Sequence, residues 1–216
     1  MKDIAIYGAG GFGQEVACLI NAINNVKPEW NLIGFFDDVK TIGESNRYGK
    51  ILGGINQLNA YSKSLSIVMS IGTPAVVKTI TQKIKNDNID FPNIIAPDVK
   101  YLDFPSFHIG KGNLIMFQSL ISYDVSIGDF NLLNCGVSLG HEAKLGSFNS
   151  MMSYVKISGQ VSIADENYFG VCSTVLQRIH IGSNTTIGAN SVIMRKTKDF
   201  STYVGNPAVA ILKPNI

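Results

Sequence analysis

Large apolar residues recur at every sixth position through the second half of the chain. A period of six fits neither the 3.6-residue repeat of a helix nor the two-residue repeat of a strand, but it fits a short strand followed by a sharp corner. Three such units close a triangular coil of 18 residues, in which each apolar side chain points inward and stacks on the one 18 residues away. The fifteen positions are Ile109, Ile115, Ile121, Ile127, Leu133, Leu139, Leu145, Met151, Ile157, Ile163, Phe169, Val175, Ile181, Ile187 and Ile193.

This repeat predicts a parallel β-helix of five coils (15 × 6 = 90 residues). A small residue often follows the apolar one, as at Gly128, Gly140 and Gly146, and permits close packing at the corners. A right-handed β-helix is the structural alternative, but its coils are longer and less regular. The strict hexad therefore favours the left-handed form, although most parallel crossovers are right-handed.

The first half of the chain has a different pattern, in which apolar strands alternate with helices. Strands are expected at residues 4–7, 32–36 and 65–71, with helices at 14–20 and from about 75 to 85. Such alternation predicts a small parallel sheet of Rossmann-like α/β type. The chain therefore divides into a Rossmann-like domain, residues 1–96, and a left-handed parallel β-helix, residues 97–216.

A glycine-rich turn of the form G-x-G-x-x-G lies between the first strand and the first helix. In this context the glycines allow a tight turn and let a phosphate approach the helix N-terminus. The acidic pair at the end of the second strand is placed to meet a ribose or base edge. The candidate ligand-binding residues of this domain are Gly8, Gly10, Gly11, Phe12, Gly13, Asp37, Asp38 and Gly72.

The size of this domain narrows the choice of ligand. A full dinucleotide-binding domain needs about 150 residues, whereas about 95 are available here. A mononucleotide or nucleotide sugar is therefore the expected ligand, and a nicotinamide-dependent oxidoreductase is disfavoured. The alternative is a glycine turn that is purely structural.

Composition and charge exclude other classes of protein. A net charge of +2, with no run of five like charges, gives no reason to expect a nucleic-acid partner. Three cysteines without a C-x-x-C spacing argue against a disulfide framework and a zinc site. The N-terminus lacks the form of a signal peptide, and no segment has the apolar length of a membrane span. We expect a cytoplasmic protein without a bound metal.

One histidine of the β-helix stands beside an acid. His141 lies two positions after the inward Leu139, so its side chain is expected at the outer surface, and Glu142 can orient its ring. Gly159 follows His141 by 18 residues and is expected to stack on it one coil further along, with its N–H available to an oxyanion. The alternative is an ordinary surface histidine. His108 and His180 precede inward residues and have no adjacent acid.

The two halves together resemble the bacterial nucleotide-amino-sugar N-acetyltransferases of the bacillosamine and perosamine type, which are related to sialic acid O-acetyltransferases. The residues that carry the resemblance are the turn at 8–13, the acidic pair at 37–38, the His141-Glu142 pair, the segment 158–161 and the G-x-P-A-like tail at 204–208. The resemblance covers nearly the whole chain.

The resemblance implies a homotrimer in which acetyl-CoA lies between neighbouring β-helices, and a nucleotide sugar held on the first domain. It implies that His141 is the general base and Glu142 its helper. The acetyl-CoA contacts that it implies are Gly159, Gly170, Cys172, Gly188, Ala189 and Pro207. Phe12 and Ser150 stand where this family often has histidine, so the identity of the acceptor stays open.

The expected reaction is direct acetyl transfer to the amine of a nucleotide-linked sugar, for a surface polysaccharide or glycan, without a metal or a covalent intermediate. Two alternatives stay open besides the oxidoreductase. One is a sugar O-acetyltransferase. The other is a non-catalytic nucleotide-sugar-binding trimer that keeps the β-helix for assembly.

Overall fold

The computed structural model describes residues 1–211 and divides into two compact units, Met1–Pro97 and Asp98–Ile216. The last five residues of the predicted β-helix domain, 212–216, lie outside the described part. The elements of the first unit are β1 (Lys2–Tyr7), α1 (Gly11–Val26), β2 (Trp30–Phe36), β3 (Ser45–Asn46), β4 (Gly49–Gly53), α2 (Ile55–Asn59), β5 (Leu65–Met69), α3 (Pro74–Lys83), β6 (Ile89–Asp90) and β7 (Ile94–Ile95).

The first unit has the Rossmann-like parallel sheet that the alternating pattern predicts. Its strand order is β3-β4-β2-β1-β5-β6, and every neighbouring pair is parallel except the β3–β4 hairpin. Strand β1 is central and contributes four fully buried residues in a row, 4–7, because helices and strands cover both of its faces. The six strands fit into a short domain since β3 and β6 have only two residues each.

The second unit is the left-handed parallel β-helix that the hexad repeat predicts. Its strands are two residues long until the last pair: β8 (Lys100–Tyr101), β9 (His108–Ile109), β10 (Leu114–Ile115), β11 (Leu120–Ile121), β12 (Ser126–Ile127), β13 (Leu132–Leu133), β14 (Ser138–Leu139), β15 (Lys144–Leu145), β16 (Ser150–Met151), β17 (Lys156–Ile157), β18 (Ser162–Ile163), β19 (Tyr168–Phe169), β20 (Thr174–Val175), β21 (His180–Ile181), β22 (Thr186–Ile187), β23 (Val192–Ile193), β24 (Thr202–Gly205) and β25 (Ala208–Ile211). A 3₁₀ turn, Phe104–Ser106, interrupts the first coil.

Three parallel sheets form the faces of the β-helix. Face one contains β10, β13, β16, β19 and β22, continued by the β24–β25 hairpin; face two contains β8, β11, β14, β17, β20 and β23; face three contains β9, β12, β15, β18 and β21. Fourteen of the fifteen predicted inward residues are at most 5% exposed, and only Ile109, in the irregular first coil, is half-buried. Each fully buried aliphatic side chain contributes about 1.5–3 kcal/mol, so this stack supplies the main driving force for coil formation.

A column of buried asparagines supports the coils from inside. Asn131, Asn149 and Asn167 each donate both the backbone N–H and Nδ2 to Oδ1 of the asparagine 18 residues earlier, at 2.9–3.1 Å. The first acceptor is Asn113, and Thr185 closes the column by donating its N–H to Oδ1 of Asn167 at 2.7 Å. The column satisfies polar groups that would otherwise be buried without partners.

The corners turn through left-handed backbone conformations. The third residue after each inward position has φ between 52° and 62° at twelve corners from Gln118 to Asn190, and Gly112 and Gly136 take the same role. Successive corner residues in one column therefore project in the same direction, 18 residues apart. Their side chains stand next to each other because parallel strands are spaced by about 4.8 Å.

Candidate active site

The candidate catalytic residues lie at the corner between faces two and three of the β-helix. The His141 side chain is 49% exposed and Glu142 is 34% exposed, with His141 Nδ1 3.2 Å from Glu142 Oε1. The position of His141 two residues after the buried Leu139 places the ring outside the coil, as the sequence predicted. The adjacent carboxylate can therefore orient the imidazole through Nδ1 and leave Nε2 for chemistry.

Gly159 stacks on His141 one coil further along. A Cβ placed on residue 159 would overlap Nε2, Cε1 and Cδ2 of the His141 ring, so the ring lies directly against the glycine. Gln160 donates its N–H to the His141 carbonyl at 2.7 Å, but the Gly159 N–H has no acceptor among residues 1–211. This amide is a candidate donor to an oxyanion beside the imidazole.

At another corner, the N–H groups two residues after an inward position already donate to side chains. At the corner between faces three and one, the N–H groups of Lys111, Ser147 and Ser183 donate to aspartate side chains, and that of Asp129 donates to Ser147 Oγ. At the His141 corner the equivalent positions are Tyr123, His141, Gly159 and Gln177, so residue 159 is the one without a side chain.

Further side chains surround the His141–Glu142 pair. The Tyr123 ring stacks on the imidazole with a centroid separation of 6.4 Å, and its hydroxyl lies 3.4 Å from Glu142 Oε1. Gln160 Nε2 donates to Glu142 Oε2 at 2.9 Å. The hydrogen bonds from Gln160 and His141 lower the pKa of Glu142, and the negative charge of Glu142 raises the pKa of Tyr123. Glu142 is therefore held as the carboxylate.

The expected acetyl-CoA contacts lie at a different corner. Gly170, Cys172, Gly188 and Ala189 are at the corner between faces one and two, where a Cβ on residue 170 would come within 2.5 Å of the Ala189 nitrogen. Cys172 is exposed and donates its N–H to the Ser153 carbonyl at 2.9 Å. The structure thus groups Gly159 with His141, but places the other four residues one face away within the same chain.

A cleft of about 480 Å³ lies at the C-terminal end of the β-helix. It contains the predicted contact Pro207, and it also presents Arg195 and Lys196. Its other lining residues are Ile193, Met194, Tyr203, Ala208 and Val209. The apolar wall and the two cations suit a ligand that combines an apolar part with phosphate groups.

The predicted ligand residues of the first unit gather at one edge of its sheet. Strands β1, β2 and β5 are parallel neighbours, so the glycine turn, Asp37 and Gly72 all follow their carboxyl ends. Gly8 has φ of 110°, and its carbonyl accepts a hydrogen bond from Ser70 Oγ at 2.8 Å. Open α/β sheets bind ligands at this edge.

The glycines of the turn have different functions. A Cβ on Gly13 would collide with the Gly8 carbonyl, so this glycine permits close contact between helix and strand. Gly10 and Gly11 have no neighbour within 4 Å of a built Cβ, and Gly10 caps α1 without a side-chain hydrogen bond. The glycines at the start of α1 therefore leave room for the approach of a phosphate. Phe12, at the start of the same helix, is half-buried.

The acidic pair also has structural functions. Asp37 Oδ2 accepts the Ala9 N–H at 2.8 Å, and Asp38 Oδ1 accepts the Ile55 N–H at 2.8 Å. The Tyr7 hydroxyl donates to Asp38 Oδ2 at 2.7 Å; burial, with Asp38 as a second cause, raises the pKa of Tyr7. Both carboxylates line a cleft of about 220 Å³ that also contains Lys40 and Gln57. The two carboxylates therefore stabilise the loops at this edge of the sheet, and they also line a cleft in which a ligand could bind.

Nowhere in the described range, residues 1–211, do three or more His, Cys, Asp or Glu side chains converge in a way that could hold a metal ion. None of its helices has the length and apolar character needed to cross a membrane.

Some residues around His141 were not selected from the sequence. Tyr123 and Arg178 were not considered, and Gln160 was noted only as part of the segment 158–161. The 18-residue spacing of residues 142, 160 and 178 was the available signal, since it places the three in one corner column.

Comparison with known proteins places these features in context. Residues 3–84 match the model of the PglD N-terminal domain family. The acetyltransferase domain of PglB from Neisseria gonorrhoeae FA1090 aligns with 98% of this chain and 100% of its own, at 26% identity and a TM-score of 0.87. The same domain in complex with acetyl coenzyme A gives 27% identity and a TM-score of 0.85, over 97% of this chain and 99% of its own.

Other relatives are more distant or match only in part. PerB from Caulobacter crescentus, in complex with CoA and GDP-perosamine, shares the fold at 21% identity with a TM-score of 0.84, over 98% of each chain. The acyl-[acyl-carrier-protein]–UDP-N-acetylglucosamine O-acyltransferase of Burkholderia orbicola is 30% identical over 119 residues, which are 51% of this chain and 45% of that protein. The chain thus spans about half the length of the curated relatives that it matches.

The structural likeness to the PglB acetyltransferase domain and to PerB extends over nearly the whole chain. The chain therefore has the two-domain fold of the nucleotide-amino-sugar N-acetyltransferases with a PglD-type N-terminal domain, as its sequence predicted.

Proposed function

We propose that this protein is an enzyme that transfers an acetyl group from acetyl-CoA to the amine of a nucleotide-linked amino sugar. The observation that carries the proposal is the contact of His141 with Gly159, because it puts a candidate base next to a free backbone N–H. Acyl transfer from a thioester needs both a proton acceptor and an oxyanion donor. The likeness to the PglB acetyltransferase domain, which was solved with acetyl coenzyme A, supports the choice of donor.

In the proposed mechanism the acceptor amine attacks the thioester carbonyl carbon. Nε2 of His141 takes the proton of the amine as the C–N bond forms, and the Gly159 N–H stabilises the oxyanion. Collapse of this intermediate breaks the C–S bond and releases the CoA thiolate, which takes up a proton. Glu142 holds the His141 ring through Nδ1. The glycine turn and the acids Asp37 and Asp38 bind the nucleotide of the acceptor.

A homotrimer is part of the proposal. The His141 corner and the corner with Gly170, Cys172, Gly188 and Ala189 lie on different edges of the triangular coil, so a neighbouring chain can bring the two together around one acetyl-CoA. Light scattering should then give a mass of about 70 kDa, three times the 23.4 kDa of the chain. A monomeric mass with full activity would contradict this arrangement. The cytoplasmic location remains a prediction, testable by cell fractionation.

Release of CoA thiol tests the function directly. The assay supplies acetyl-CoA with UDP-, GDP- or dTDP-linked 4-amino sugars to the wild type and to His141→Ala. We expect rapid release with one amino sugar, reduced by about two orders of magnitude or more in the variant. Undiminished release in the variant would reject His141 as the base.

Sugar O-acylation is the second candidate, because several curated relatives that match about half of this chain are UDP-N-acetylglucosamine O-acyltransferases. Matched acceptors with a hydroxyl in place of the amine, in the same assay, decide between the two reactions. Acetyl-CoA binding without turnover of any acceptor would favour a non-catalytic sugar-binding trimer.

A further inference from the structure

A continuous line of hydrogen bonds leads away from His141 over three coils. Arg178 Nε donates to Gln160 Oε1 at 2.8 Å, and Gln160 Nε2 donates to Glu142 Oε2 at 2.9 Å. The other oxygen of Glu142 lies 3.2 Å from His141 Nδ1. The line starts at a fixed positive charge and ends at the candidate base.

The backbone of the β-helix aligns this chain of side chains. Glu142, Gln160 and Arg178 occupy the same corner of three consecutive coils, with φ of 58°, 59° and 61°. Their side chains therefore leave the corner in parallel and stand next to each other. The alignment follows from the 18-residue coil and needs no special loop.

The chemistry of the groups fixes the direction of every hydrogen bond. A guanidinium has donors only, so the carbonyl oxygen of the Gln160 amide must face Arg178 and the NH₂ group must face Glu142. The pKa of Glu142 is lowered, so its carboxylate only accepts hydrogen bonds. The neutral His141 ring must then carry its proton on Nδ1, which leaves the lone pair on Nε2, next to Gly159.

We propose that Gln160 and Arg178 are positioning residues that hold His141 in the tautomer with the proton on Nδ1. Neither of them touches the acyl group; they act through Glu142. The catalytic consequence rests on the proposed function, but the tautomer itself does not. The Tyr123 ring stacks on the imidazole, and the charges of Glu142 and Asp124 act on the Tyr123 hydroxyl.

The competing explanation is that this line is an ordinary row of surface side chains without influence on His141, since corner side chains stack in any β-helix. Gln160 and Arg178 are both exposed, and exposed polar contacts contribute little to stability. Loss of this line of hydrogen bonds should thus leave the melting temperature nearly unchanged under either explanation. The tautomer of His141 is the property that separates them.

Nitrogen NMR of ¹⁵N-histidine-labelled protein provides the test, at about pH 8.5, where an ordinary imidazole is neutral. The chain has three histidines, and His141→Ala assigns the signal of interest. We expect His141 to be protonated on Nδ1 in the wild type, and to shift substantially towards the Nε2-protonated form in Gln160→Ala and Arg178→Ala. Arg178→Lys keeps a donor-only cation and should restore much of the wild-type tautomer.

Gln118→Ala is the matched control, because Gln118 is also an exposed glutamine with φ of 61°, at another corner. It should leave the His141 signals unchanged. A wild-type His141 protonated on Nε2, or one whose tautomer is unaffected in Gln160→Ala and Arg178→Ala, would overturn the proposal. The spectra need no substrate, so failure of acetyl transfer with every acceptor would not affect this result. If transfer occurs, kcat/KM should fall about tenfold or more in Gln160→Ala.

Discussion

The imidazole of His141 lies against Gly159 so closely that any side chain at residue 159 would overlap its Nε2. The φ of Gly159 is outside the left-handed region, so space and not backbone conformation demands glycine at this position. The contact joins the candidate base of one coil to the free N–H of the next. A single methyl group added at residue 159 should remove this contact, so Gly159→Ala tests the site directly.

Gly159→Ala should displace the His141 ring while the β-helix stays folded. Since the ring is half-exposed, it can swing towards solvent at little cost in stability. We expect kcat/KM to fall by about two orders of magnitude, as for loss of a general base, with a nearly unchanged melting temperature. Ser126→Ala, on an outward face of the same β-helix, should be fully active. Normal turnover by Gly159→Ala would show that the contact has no part in catalysis.

Removal of the Glu142 charge should make stability less dependent on pH. The folded-state pKa of Glu142 is lower than its ordinary value of 4.5, so the carboxylate stabilises the fold above that pH and loses this contribution as the pH falls through the folded pKa. Glu142→Gln should thus have a slightly lower urea midpoint than the wild type at pH 7, because solvent screens this exposed carboxylate, and the difference should shrink towards pH 3. Glu15→Gln controls for the loss of one exposed carboxylate. A difference that grows on acidification would contradict the lowered pKa.

The β-helix could be predicted in detail because its repeat is local and periodic. Each inward residue, such as Leu133 or Ile157, is identified by its position in the hexad, and the 18-residue coil places Gly159 on His141. The repeat also contained the line from Glu142 to Arg178. Reactive residues can be recognised one by one in a sequence, whereas this line consists of side chains that act only through their hydrogen bonds to each other.

The first unit was less predictable where its elements are short. The three main strands and two helices follow from apolar runs, but β3, β6 and α2 have two, two and five residues, too few for a period to appear. The hydrogen bonds from Ala9 to Asp37 and from Ile55 to Asp38 depend on contacts 28 and 17 residues apart. Sequence spacing alone could not show that the acids also support the loops.

Two residues of the glycine turn, Gly8 and Gly10, should differ in how much substitution by alanine destabilises the fold. Gly8 has φ of 110°, and a Cβ there would lie 2.6 Å from Ser70 Oγ, so Gly8→Ala should destabilise the fold by about 1–3 kcal/mol. Gly10→Ala meets no protein atom and should keep the melting temperature. If a phosphate binds there, Gly10→Ala should raise KM for the nucleotide sugar while KM for acetyl-CoA stays unchanged. Unaltered KM values would indicate a purely structural turn.

Asn149 tests whether the buried asparagine column holds the coils together. The residue is fully buried, accepts two hydrogen bonds from Asn167 and donates Nδ2 to Asn131. Asn149→Leu keeps the backbone N–H that donates to Asn131, but it leaves the buried N–H of Asn167 without an acceptor, which should lower the free energy of unfolding by about 1–3 kcal/mol. Asn31→Ala removes one exposed hydrogen bond to Asp3 and should cost about 1 kcal/mol or less. Equal urea midpoints for the two variants would mean that apolar stacking alone stabilises the coils.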